Sequence, residues 1–81
     1  MSKRIQKPIT VVEGPGGSPI RFSWLNRWRT VSGVLDRWRE SGDWWDGEEE
    51  RDYFIVATSP GGSYELCRDG PGAWILSRIL D

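Results

Sequence analysis

The pattern with the most chemistry in this sequence is Arg-Trp-Arg. It occurs twice, as Arg27-Trp28-Arg29 and as Arg37-Trp38-Arg39. In an extended chain successive side chains point to opposite faces, so both arginines of each triplet lie across from their tryptophan. With Arg21 on a neighbouring strand, Arg27, Arg29, Arg37 and Arg39 make a set of guanidinium forks that match phosphate and stack on bases. Small β-barrels hold single-stranded nucleic acid with such aromatic and basic side chains. The same residues support a second reading. The tryptophans fill the core, with Trp28 and Trp74 as core rings, and the arginines meet acids from elsewhere in the chain.

Charge distribution keeps both readings open. Residues 1–39 carry eight Lys and Arg against two acids, and residues 40–81 carry three Arg against ten acids, for a net charge of −1. Such a split either makes one basic and one acidic face or pairs basic strands with acidic ones across a sheet.

Other chemistries find little support. With no histidine and one cysteine, Cys67, the chain has no Cys/His zinc site, no histidine base and no internal disulfide. Cys67 lies mid-strand between Leu66 and Arg68 and reads as a buried packing thiol. Gly14-Pro15-Gly16-Gly17 lacks the Gly-Lys-Ser/Thr ending of a phosphate loop and reads as a turn. Asp43, Asp46, Glu48, Glu49, Glu50 and Asp52 lack the spacing of an EF-hand and read as a solvated acidic loop. No nucleophile has a base beside it, so the chain is expected not to be an enzyme and to need no metal or cofactor. The absence of a long apolar run and of cysteine pairs points to a cytoplasmic protein without membrane association.

The elements that must position these residues are strands. Residues 1–7 read as a flexible basic start and residues 8–81 as one small domain. Pro8–Glu13 is β-branched. Ile20, Phe22 and Trp24 alternate with Arg21 and Ser23, and Leu25-Asn26 is a tight turn into a returning strand. Val31, Val34, Leu35 and Trp38 have helical spacing, but Gly33 and the β-branched neighbours favour a bulged strand. A loop over Glu40–Arg51 leads to strands at Asp52–Thr58, Ser63–Arg68 and Ala73–Leu80, separated by Gly-rich turns. The expected fold is all-β, a small antiparallel meander or barrel of five or six strands.

Gly42-Asp43-Trp44-Trp45-Asp46-Gly47, Arg51-Asp52-Tyr53-Phe54, Tyr64 to Asp69 and Gly72-Ala73-Trp74-Ile75-Leu76 form a recognisable series. It resembles the C-terminal module of ImuB-type proteins, catalytically inactive Y-family polymerase relatives in bacterial translesion synthesis. It also resembles a family of short stand-alone bacterial proteins that share the module. The chain departs from the pattern at Cys67, where an aromatic is usual, and at Ser77, where histidine is frequent. The resemblance implies a non-catalytic protein-interaction module in a DNA damage-tolerance setting, with Trp44, Trp45, Asp46, Arg51 and Asp52 as partner-binding residues. The motif's physical reading is structural first: Trp44 or Trp45 folds under the barrel, and Arg51 and Asp52 pin the loop by paired hydrogen bonds. Weak binding of single-stranded nucleic acid through Arg21, Arg27, Arg29, Arg37 and Arg39 is the alternative.

Overall fold

The computed structural model describes residues 3–40, 51–59, 61–70 and 72–80. Six antiparallel strands close into a barrel in chain order: β1 Lys3–Glu13, β2 Pro19–Trp24, β3 Arg27–Glu40, β4 Arg51–Ser59, β5 Ser63–Asp69 and β6 Trp74–Ile79. The fold is therefore the small all-β barrel expected from alternation and turn spacing. A 3₁₀ turn at Pro15–Gly17 joins β1 to β2. Among the described residues no helix is long and apolar enough to cross a membrane.

Period-2 patterning builds the core. Along β4, Asp52, Phe54, Val56 and Thr58 are buried and the residues between them are not. Phe22, Phe54, Val56, Leu66 and Leu76 are fully enclosed, with Tyr64 and Trp74 completing the cluster. Phe22 meets Tyr64 edge to face at 5.2 Å, a favoured aromatic arrangement. So narrow a barrel is filled by side chains and holds no channel. The buried Thr58 hydroxyl donates to the Gly61 carbonyl at 2.8 Å, and the Thr58 N–H bonds the Gly62 carbonyl, which closes the β4–β5 turn.

Two elements differ from expectation, and one that was ambiguous is settled. β1 starts at Lys3, not Pro8, because Lys3 and Arg4 pair with Ile79 and Arg78 of β6, so the basic start is part of the barrel. The stretch with helical spacing is a strand with two register irregularities, at Val31/Gly33 and Val34/Asp36, in agreement with the bulge reading.

The second difference is Trp28, which is not a core ring: it is 53% exposed. The reason lies in the β2–β3 turn. Leu25 and Asn26 both have positive φ, 54° and 60°, the signature of a two-residue type I′ hairpin. Such a turn places the residues flanking it directly opposite each other, here Trp24 and Arg27. Trp24 packs against the core, so Arg27 and Arg29 follow it to the inner side and Trp28 goes out. Trp74, by contrast, is buried as expected.

Candidate functional site

The five arginines of the sequence reading do not form one surface. Arg21 lies on the outer side of β2, opposite Thr30, with its guanidinium 4.9 Å from the Trp28 ring centre. Arg29 pairs in register with the core residue Phe22, and its guanidinium stands 5.6 Å from the Tyr64 ring. Its Nε is buried without a hydrogen-bond partner. Arg27 and Arg29 therefore belong to the barrel end that carries the β2–β3 turn. Arg37 and Arg39 belong to the opposite end, in register with Phe54 and Asp52, and Arg37 covers the Phe54 ring at 5.1 Å. Alternation did separate each tryptophan from its flanking arginines, but the arginines face the barrel axis.

Asp52 anchors a polar network across that second end. Arg39 Nε donates to Asp52 Oδ1 at 2.8 Å, and Arg68 Nη2 donates to Asp52 Oδ2 at 2.9 Å. Arg68 Nη1 donates to Glu13 Oε1, and the Trp74 indole N–H donates to Glu13 Oε2, both at 3.1 Å. Residues from β3, β4, β5, β1 and β6 are thus tied together. The Arg39 hydrogen bond, opposed by burial, holds the Asp52 carboxyl below its ordinary range. Gly17 makes room for the network: at φ 80° it adopts a conformation that favours glycine, and a Cβ there would sit 3.0 Å from Arg68 Nη1. Asp52 is therefore a scaffold residue. Arg51, at the outer side, ion-pairs with Asp69 at 3.4 Å. Trp44, Trp45 and Asp46 lie outside the described residues.

Cys67 is buried on β5, and burial pushes its thiol pKa up, which makes it a poor nucleophile. Burial likewise raises the Tyr53 hydroxyl above its ordinary value. Among the described residues no group of three or more Cys, Asp or Glu comes together to hold a metal.

Two surface features were not legible in the sequence. First, the exposed large apolar side chains among the described residues are Ile20, Leu25, Trp28, Val34 and Leu35, all on β2, its turn and β3 as far as Leu35. Second, a cavity of about 320 Å³ on the outer side is lined by Arg4, Gln6, Trp38, Glu40, Tyr53, Glu65, Ser77 and Arg78. The Trp38 and Tyr53 rings stack there, 5.3 Å apart and 5° from parallel.

The barrel carries arginines laid over aromatic rings at both ends, Arg29 on Tyr64 and Arg37 on Phe54. A family model described as Domain of unknown function (DUF6504) matches residues 1–81, and the chain belongs to that family. No curated protein and no solved structure matches it.

Proposed function

We propose that the protein is a non-catalytic protein-interaction module of bacterial DNA damage tolerance, and that the β2–β3 hairpin makes its principal contact. The observation that carries this reading is the concentration of exposed apolar side chains on one hairpin. Leu25 at the tip is 69% exposed and Trp28 beside it is 53% exposed. Large apolar side chains left in water on one element mark interaction surfaces, and Trp is enriched among residues that dominate binding energy. Arg21, lying over Trp28, adds a second residue type enriched at such sites. The translesion setting comes from the resemblance to the ImuB-type module. The non-catalytic assignment is supported by the Cys67 thiol, the strongest nucleophile by type, being buried and held protonated.

The test is direct binding of the full chain to purified proteins of the translesion machinery, measured by interferometry. One of them is expected to bind, and the Leu25→Ser/Trp28→Ala variant to lose at least about 2 kcal/mol, roughly 30-fold in Kd. Absence of binding to every such protein, or equal binding by the variant, defeats the reading.

A further inference from the structure

The seam where β1 meets β6 is irregular on both sides. The β1 register shifts between Arg4 and Lys7, and Gln6 within that shift has φ 55°, a left-handed conformation that costs a non-glycine residue free energy. Opposite it, the β6 register against β5 shifts at Ser77, between Arg78 and Leu76. The two bulges face each other, and Gln6 Nε2 donates to Ser77 Oγ at 3.1 Å. Bulges of this kind re-aim side chains and gather beside functional sites. Here both re-aimed side chains line the outer cavity.

The charges there are set against each other. Arg4 and Arg78 are direct cross-strand partners, an arrangement that destabilises a sheet. Neither forms an ion pair with a described acid, although Glu65 is the register partner of Arg78 on β5. Two opposed guanidiniums without a carboxylate between them are a place for an anion with several oxygens. The other wall of the cavity is the Trp38/Tyr53 stack, where Glu40 already accepts the Trp38 indole N–H at 2.9 Å.

We propose that this cavity binds a nucleotide. The phosphate bridges Arg4 and Arg78, the base lies against the Trp38/Tyr53 aromatic wall, and Glu65 accepts an exocyclic amino group. Tyr53 is in register with Cys67 and Arg78 with Glu65, so the two are two strand spacings apart across the sheet and two residues apart along it, about 12 Å, which a base and its phosphate span with the reach of an arginine side chain. The cavity, at about 320 Å³, falls at the small end of ligand sites and its lining is mostly polar, so it takes the phosphate and sugar while the base rests at its rim against Trp38 and Tyr53. Glu65, between the aromatic wall and the arginines, repels a phosphate from the middle of the groove. It also favours a base with an amino group, as carboxylates do toward cytosine N4. The Ser77 hydroxyl proton and the second Gln6 amide proton remain to meet sugar or phosphate oxygens. These residues are separate from the β2–β3 hairpin and from the five arginines considered above.

The chemistry is shared by a free nucleotide and by one unit of a single strand, so the experiment carries both. The full chain, labelled with ¹⁵N, is titrated with cytidine 5′-monophosphate, with hexadeoxycytidylate and with inorganic phosphate. The Trp38 indole, the Gln6 side-chain amide and the backbone of Ser77 and Arg78 are expected to shift with one or both nucleotides. Inorganic phosphate is expected to need at least about tenfold higher concentration, because it leaves the aromatic wall empty. Tighter binding of the hexamer assigns the site to a strand, and equal affinity assigns it to a free nucleotide. Arg4→Gln/Arg78→Gln should weaken binding at least about tenfold and flatten the salt dependence of hexamer binding by about 0.7 per lost phosphate contact. Because it removes a like-charge pair, its melting temperature should not fall, so lost binding is separable from lost folding. Arg27→Gln/Arg29→Gln, at a barrel end, should bind as the wild type does. No shift at the named resonances with either nucleotide at millimolar concentration overturns the proposal. So does undiminished binding by Arg4→Gln/Arg78→Gln, or inorganic phosphate binding as tightly as the nucleotides.

Discussion

Replacing Asp52 with asparagine removes one charge and one acceptor from the network that closes the barrel end. Asp52 accepts from Arg39 and from Arg68, at 2.8 and 2.9 Å, with its own side chain 11% exposed. An asparagine keeps one oxygen for one arginine and turns an N–H₂ toward the other, donor against donor. A hydrogen bond to a charged group contributes about 1.5–3 kcal/mol net, and the Arg39 side is discounted because that side chain is 58% exposed and screened by water. The expected loss is about 2–3 kcal/mol, or about 12–18 °C in Tm for a domain of this size. The pH dependence gives a second readout. The folded-state pKa of Asp52 is lowered, so its contribution is present above the unfolded value of about 3.9 and is lost as pH falls through the folded value. Melting curves from about pH 5 to about pH 2 should therefore fall more steeply for the wild type than for Asp52→Asn. A Tm unchanged at neutral pH, or parallel acid limbs for the two proteins, would refute the reasoning.

Trp28→Ala should cost under about 1 kcal/mol, since it removes an exposed ring and one cation–π contact, whereas Trp74→Ala should cost about 3–5 kcal/mol. Thermal melts of the pair check this, and a Trp28 loss comparable to that of Trp74 would contradict the register of the β2–β3 turn. The Cys67 thiol should react slowly with Ellman's reagent in native buffer and at the rate of a free thiol in denaturant. Rapid native labelling would place it at the surface.

Local rules carried much of the fold. Alternation located β2 to β6, and Gly33 among β-branched residues marked a bulge where spacing alone suggested a helix. Alternation says which side chains share a face, but not which face is buried. For β3 that parity is decided by the turn: two residues between Trp24 and Arg27 bind Arg27 to the face of Trp24. Counting across Leu25-Asn26 was enough to send Trp28 outward. The length of β1 was hidden for another reason. Residues 3–7 are polar apart from Ile5 and are held in the strand by pairing with β6, a partner some seventy residues away that no local pattern reveals. The Arg4/Arg78 seam and its cavity were hidden with it. Asp52 was visible as a motif residue, and alternation with Phe54 and Val56 turns it inward, but its partners Arg39 and Arg68 arrive from neighbouring strands.

The β1/β6 seam also bears on how the chain reaches its native state. Every other neighbouring pair in the sheet is consecutive in sequence, so its ends meet at small entropic cost, while the seam joins the first strand to the last. Folding by successive hairpins leaves that closure to the end. Until it occurs, β1 and β6 are open edges, the part of a β protein that recruits strands from other molecules. Both edges carry cations: Lys3, Arg4 and Lys7 on one, Arg78 on the other. The positive charges that oppose each other across the finished seam thus repel a second unfinished copy, protecting the chain from edge-to-edge aggregation while the barrel is still open.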